Sequence, residues 1–124
     1  MVPYERFEAW KLCHQLNIDL CKLAKGWDKK GYAELKWQTY RAAWSVPANI
    51  VEGSTKRGAR EFRRFLDITL GSLAEISYAL RVAKDLEVIS EQEWTVIDQQ
   101  RARASKVTWS LYDSIRQAAE RQHP

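Results

Sequence analysis

At 124 residues the chain suits one domain, a size that buries roughly two thirds of the surface exposed by its unfolded form. Five Gly, three Pro and no Ser-, Gly- or Pro-rich stretch argue against a linker or a long disordered tail, so residues 1–124 are expected to form a single domain. A net charge of +4 is compatible with an anionic partner. The apolar runs fall far short of the ~20 residues that cross a bilayer, and MVPYERFEAW lacks the apolar segment of a secretion signal, so a cytoplasmic protein without membrane association is expected.

Helical periodicity fills four segments and no alternating strand pattern exceeds chance, which makes the expected fold class all-α. The first helix is expected from about Tyr4 to Lys25, with Leu12, Leu16, Leu20 and Leu23 facing inward and Gly26 ending it in a left-handed conformation. Cys13 and Cys21 lie eight positions apart on this helix, about 12 Å of rise, too far for a disulfide. They read as reduced, small core hydrophobes. The turn WDKKG follows.

In the second helix, at about 100° per residue, Leu35, Thr39, Ala42, Val46 and Ile50 share one face while Trp37, Tyr40, Trp44 and Val51 share the opposite one. That second stripe either covers neighbouring helix ends or joins subunits. Its aromatic content favours an oligomer interface. Pro47 has no amide donor and crowds the preceding turn, so it is expected to bend the helix or start a new segment, after which Asn49, Glu52 and Gly53 lead into a turn.

Gly58 takes the N-cap position of the third helix, with Glu61 three residues later. Ala59, Phe62, Leu66, Thr69, Leu73, Ile76, Leu80 and Ala83 then alternate at three and four spacing, a knobs-into-holes seam along which Gly71 and Ser72 would let a neighbour come close. The fourth helix starts at Ser90, where S-E-Q-E forms a capping box. Its expected seam is Trp94, Ile97, Arg101, Ala104, Thr108, Leu111, Ile115 and Ala118. Short connections between long helices predict an antiparallel, up-down-up-down four-helix bundle.

The run RAAWSVPANIVEG, followed by EFRRFLDITLGSLAEI, resembles the 23S rRNA intervening-sequence protein family, whose usual text is close to RAA-x-S-I-P-x-N-I-A-E-G and E-F-x-R-F-L-x-I-A-x-G-S-L-x-E-L. The resemblance covers nearly the whole chain. It falls on Arg41, Ala42, Ala43, Ser45, Pro47, Asn49, Ile50, Glu52 and Gly53, then on Glu61, Phe65, Leu66, Gly71, Ser72 and Glu75, mostly structural positions. It implies a small bacterial protein, a four-helix bundle assembling into a ring-like homopentamer, related to accessory subunits of retroelement reverse transcriptases that bind nucleic acid. No catalytic residue comes with it. The sequence departs from the pattern at AEL, where a YGL-like motif is usual, at Gly58 for a usual Ser, and at Ser77 for a second acid.

Site chemistry is sparse. His14 sits beside Cys13 but projects about 100° away around the helix, and His123 lies near the C-terminus, so no metal ligand set converges. GSTKRG follows a helix instead of a strand and lacks the glycine spacing of a phosphate loop. No cofactor and no nucleophile paired with a base are expected; Ser45, Ser54 and Ser72 read as small serines at helix contacts. Asn49, Glu52 and Glu75 are expected to form a polar cluster tying the second helix to the third.

The concentrated feature is KRGAREFRR, where Lys56, Arg57, Arg60, Arg63 and Arg64 face the single acid Glu61, with a smaller cluster at Arg101, Arg103 and Lys106. Arg60 and Arg64 project within about 40° of each other and nearly opposite the apolar seam. Guanidinium forks suit phosphate oxygens, and one-turn spacing of ~6 Å approximates that of successive phosphates. The alternative is a solvated face pairing with Asp67 or with a neighbour's acids. Arg101 interrupts the fourth seam and would meet water, an acid such as Glu75, or a central pore. Two functions follow: a non-enzymatic oligomer binding the RNA or DNA backbone with weak sequence selectivity, or a protein scaffold serving a partner enzyme.

Overall fold

The computed structural model describes residues 3–122. All regular structure among them is helical, in four long helices preceded or joined by short 3-10 turns. Their buried residues form one apolar cluster. Helix α1 (Glu8–Ala24) packs on α2 (Ala33–Ser54) and α4 (Glu91–Gln122), and α3 (Ala59–Asp85) packs on the same two.

Helix α1 starts four residues later than its periodicity suggests. Residues Pro3–Arg6 form a 3-10 turn and Phe7 is extended, because the Tyr4 ring lies 4.8 Å from Trp10 and the Phe7 ring meets Phe62 edge-on at 5.5 Å. Ala9, Cys13, Leu16, Leu20 and Ala24 are buried, whereas Leu12 and Leu23 flank the core half-buried. Gly26 is not the left-handed residue. Lys25 stays right-handed, and the Trp27 amide donates to the Ala24 carbonyl at 3.0 Å. The chain keeps turning to bury the Trp27 ring, and the left-handed position falls on Gly31, at φ +92°. Across this turn the Lys36 ammonium bonds Asp28 at 3.1 Å and holds that carboxyl below its usual pKa.

Helix α2 runs through Pro47 without a break, so no new segment begins there. Pro47 leaves the carbonyl one turn earlier without its amide donor. Burial of Ala43, Val46, Pro47 and Ile50 holds the helix through that gap, and the Asn49 amide donates to the Ser45 carbonyl at 2.8 Å and to its hydroxyl at 3.0 Å. Gly53 lies inside this helix rather than in a turn after it, and it marks a tight contact between α2 and α3. A Cβ there would stand 2.8 Å from Phe62 Cδ1 and 2.9 Å from Phe65 Cβ. Gly71 does not have that role: it is exposed, with nothing within 4 Å of an added Cβ.

Helix α3 places its seam as expected, with Phe62, Leu66, Thr69, Leu73, Ile76, Leu80 and Ala83 buried. Gly58 precedes it at φ +85°, a conformation that needs glycine. The Ala59 amide donates to Gln122 Oε1 at 3.3 Å, so the far end of α4 caps the start of α3. The polar links between α2 and α3 differ from the predicted cluster. Glu52 and Glu75 are exposed, and the contacts are instead Ser72 to Ser45 between hydroxyls at 2.8 Å and Thr69 Oγ1 donating to the Val46 carbonyl at 3.0 Å.

The capping box of α4 is formed. The Glu93 amide donates to the Ser90 hydroxyl at 3.0 Å, and the Ser90 amide donates to Glu93 Oε1 at 2.9 Å. Ile97, Ala104 and Thr108 are buried, while Trp94, Leu111, Ile115 and Ala118 are only half-buried and Ala119 is buried in their place. Arg101 is accommodated in the seam by Asp98, 2.7 Å away on the same helix, and not by Glu75.

Candidate nucleic-acid interface

Residues 55–58 join α2 to α3 and carry Lys56 and Arg57 in exposed positions. Arg60 and Arg64 then leave the first turns of α3 on the side away from its buried seam, and Arg63 is half-buried beside Ala119 and Glu120 of α4. The sequence reading is correct about their direction. It is only partly right about their freedom. Lys56 lies 3.7 Å from Glu52 and Arg64 lies 3.3 Å from Glu61, both pairs exposed, and both cations also approach the Phe65 ring, at 5.3 and 5.6 Å. Such surface pairs contribute about 0–1 kcal/mol and open readily for a phosphate.

Arg57, Arg60 and Arg63 form no ion pair among the described residues, and Asp67 does not reach the cluster. The fold adds a residue that the linear sequence keeps apart. Because Gln122 caps α3, its neighbour Arg121, exposed and without an ion pair among the described residues, joins the same end of the molecule. Arg116 is instead held by Asp113 at 3.7 Å and Glu120 at 2.9 Å. No signal in the sequence alone marks Arg121, since its relevance depends on the packing of α4 on α3.

The second cluster does not merge with the first within one chain. Arg103 and Lys106 are exposed, but Arg103 stands roughly 24 Å of helix rise from Ala119, and Arg101 is neutralised by Asp98.

The aromatic stripe of α2 divides in two. Trp37 is 60% exposed and Trp44 69%, whereas Tyr40 and Val51 are half-buried against α1, with the Tyr40 hydroxyl donating to the Cys21 carbonyl at 3.4 Å. Trp37 stands edge-on to Tyr40 at 5.6 Å. Trp44 and Val51 line a groove of about 750 Å³ between α1 and α2. Arg41 is exposed and bonds Gln38 on its own helix.

The described residues hold no group of three or more His, Cys, Asp and Glu side chains placed to bind a metal ion; His123 lies outside them. No helix among them is long and apolar enough to cross a membrane. The cysteines diverge from the joint core role assigned to them. Cys13 is fully buried, 3.4 Å from the Thr108 hydroxyl, and burial pushes its thiol up to about 11 despite that hydrogen bond. Cys21 is only half-buried, with a smaller upward shift from the same cause. Alkylation of the native protein at pH ~8 is expected to modify Cys21 and spare Cys13 until the chain unfolds, as mass spectrometry would report. The unfolded chain loses the Cys13 proton near its ordinary value of 9.0 while the folded chain keeps it, so stability should fall as pH rises from there toward about 11. Equal labelling of both thiols at pH ~8 would contradict the packing of α1 on α4.

Against known families, the model described as 23S rRNA-intervening sequence protein matches residues 5–110. No curated protein matches the chain. The match extends from before α1 into α4 and takes in both the basic turn and the Gly53 contact.

Proposed function

The chain belongs to the 23S rRNA-intervening sequence protein family, and we propose that it is a non-enzymatic oligomer that binds RNA or DNA through the phosphate backbone. The observation that carries this reading is the trio Arg57, Arg60 and Arg63 at the start of α3, without ion pairs among the described residues, with Lys56, Arg64 and Arg121 around it. Helix-terminal amides and guanidinium groups act in the same direction on an anion. Each subunit then contributes a modest patch, and repetition around an assembly gives enough charge to hold a polyanion by counterion release.

In this reading the helices alternate in direction as an up-down-up-down bundle, and copies close into a ring, with a homopentamer as the expected number. The subunit contact uses Trp37 as a ridge and the groove of about 670 Å³ between α2 and α3 as its receptor. That groove is lined by Leu35, Gly71, Ala74 and Tyr78, and Tyr78 is exposed, so both surfaces have apolar area to bury.

The test is purification without nuclease, followed by light scattering and the absorbance ratio at nucleic-acid and protein wavelengths. The reading expects one particle several times the 14.5 kDa chain mass and co-purifying nucleic acid that is displaced by salt. A monomer that binds neither RNA nor DNA at low salt would leave only the scaffold function for a partner enzyme.

A further inference from the structure

We propose that the groove between α1 and α2 is a nucleobase site, so that the ligand of the cationic surface is single-stranded nucleic acid whose unpaired bases stack inside it. This rests on the backbone-binding reading and adds a specificity that backbone contact does not supply.

The groove encloses about 750 Å³, within the range that takes a small organic ligand, and its walls carry the rings of Tyr4, Trp10, His14 and Trp44. Trp10 and His14 stand one turn apart on α1 with centroids 4.9 Å apart and planes within 10°, a preformed stack whose His14 member is exposed. Tyr4 braces Trp10 from the side at 4.8 Å. Trp44, 69% exposed on α2, forms the other lip. Aromatic faces presented to solvent in this way are platforms for bases, and any base fits because each has a π-face.

The basic turn that begins at the end of the groove assigns the occupant. Glu52 and Thr55 line the end of the groove, and the Glu52 carboxylate is 3.7 Å from the Lys56 ammonium, with Arg57 next in the chain. A strand whose phosphates lie on Lys56 and Arg57, directly after Thr55 in the chain, has the end of the groove beside it for its bases. Asn17 and Glu52 place a side-chain amide and a carboxylate among the rings, a donor and an acceptor for base edges. Bases paired inside a duplex cannot enter, which sets single strands apart from double-stranded competitors.

The experiment compares binding of a labelled oligothymidylate, an abasic phosphodiester of equal length and charge, and a duplex, to the full chain by fluorescence anisotropy. The parent is expected to prefer the base-bearing strand over the abasic one by about tenfold. Trp44→Ala and His14→Ala, both at exposed positions, should remove most of that preference while leaving abasic binding unchanged, and Trp109→Ala, exposed on α4, should leave both unchanged. Equal affinity for abasic and base-bearing strands would overturn the groove assignment and leave the cationic surface standing. Failure to bind any of the three polymers would overturn the backbone reading beneath it. A lower particle mass for Trp44→Ala would make the groove a contact between copies and overturn the proposal as well.

Discussion

The variant with Arg57, Arg60 and Arg63 all replaced by alanine is expected to bind single-stranded RNA or DNA about a hundredfold more weakly than the parent near 0.1 M salt. Its logarithmic salt slope should drop by about 2, since each lost phosphate contact removes roughly 0.7 from the slope on a single strand. These three are the right targets because none forms an ion pair among the described residues, in contrast to their neighbours. Arg64 and Lys56 already share theirs with Glu61 and Glu52, and their replacement should cost less. The fold should tolerate the change. Arg57 and Arg60 are exposed, Arg63 is half-buried at the edge of α4, and alanine is the better helix former on α3. Circular dichroism and light scattering should therefore match the parent. A folded triple variant with an unchanged salt slope would remove the cationic surface as the binding site. Replacing Arg103 and Lys106 instead tests whether the distant cluster joins in only when copies assemble.

Gly53→Val is expected to destabilise the protein by about 1–2.5 kcal/mol, lowering the thermal midpoint by roughly 4–10 °C. The physical cause is specific. A Cβ at this position stands 2.8 Å from a ring carbon of Phe62 and 2.9 Å from the Cβ of Phe65, and the second of these cannot swing away because it is fixed to the α3 backbone. The two γ-methyls of valine extend further into the same space, and overpacking of a formed core costs about 1–3 kcal/mol. Opposing this, any residue other than glycine gains up to about 1 kcal/mol of helix propensity, with valine gaining only part of it. The steric term wins. Gly26→Val, exposed just after α1 with nothing within 4 Å of an added Cβ and outside the proposed subunit contact, is the control and should be close to neutral. If both substitutions behave alike in a thermal melt, Gly53 does not sit in a tight contact between α2 and α3.

How far the sequence could be read depended on whether a feature is local. The α3 seam was legible because apolar residues at three and four spacing can face only one way on a helix, and the outward direction of Arg60 and Arg64 follows from the same geometry. The capping box at Ser90 was legible because both of its hydrogen bonds close within four residues. Family membership was visible in the paired motifs of α2 and α3. Where a residue's role depends on a distant partner, the reading failed. Gly26 looked like a helix terminator, but burial of Trp27 carries the turn on to Gly31. Asn49, Glu52 and Glu75 looked like a buried polar cluster, yet two of the three are exposed and Asn49 serves its own helix. Arg101 found its acid one turn away on α4 instead of across the core.

The candidate site follows the same division. Five cations within nine positions are evident in the linear chain, whereas their availability depends on which carboxylates come within reach. Arg121 belongs to the site only because Gln122 packs against the start of α3. The ring-lined groove was hidden because Tyr4 in the leading 3-10 turn and Trp10 and His14 on α1 meet Trp44 on α2, and no periodicity within one helix announces their meeting.

By itself the amino-acid order determined that the chain is helical, where its main apolar stripes lie and on which side of α3 the guanidinium groups emerge, since these are consequences of a 3.6-residue turn and of backbone capping. Only tertiary packing decided that Gly53 and not Gly71 is the contact point, that three arginines form no ion pair among the described residues, and that a groove of aromatic rings ends at the basic turn. Those features are distances between segments remote in sequence, set by how side-chain volumes fit together, and helical periodicity contains no information about them.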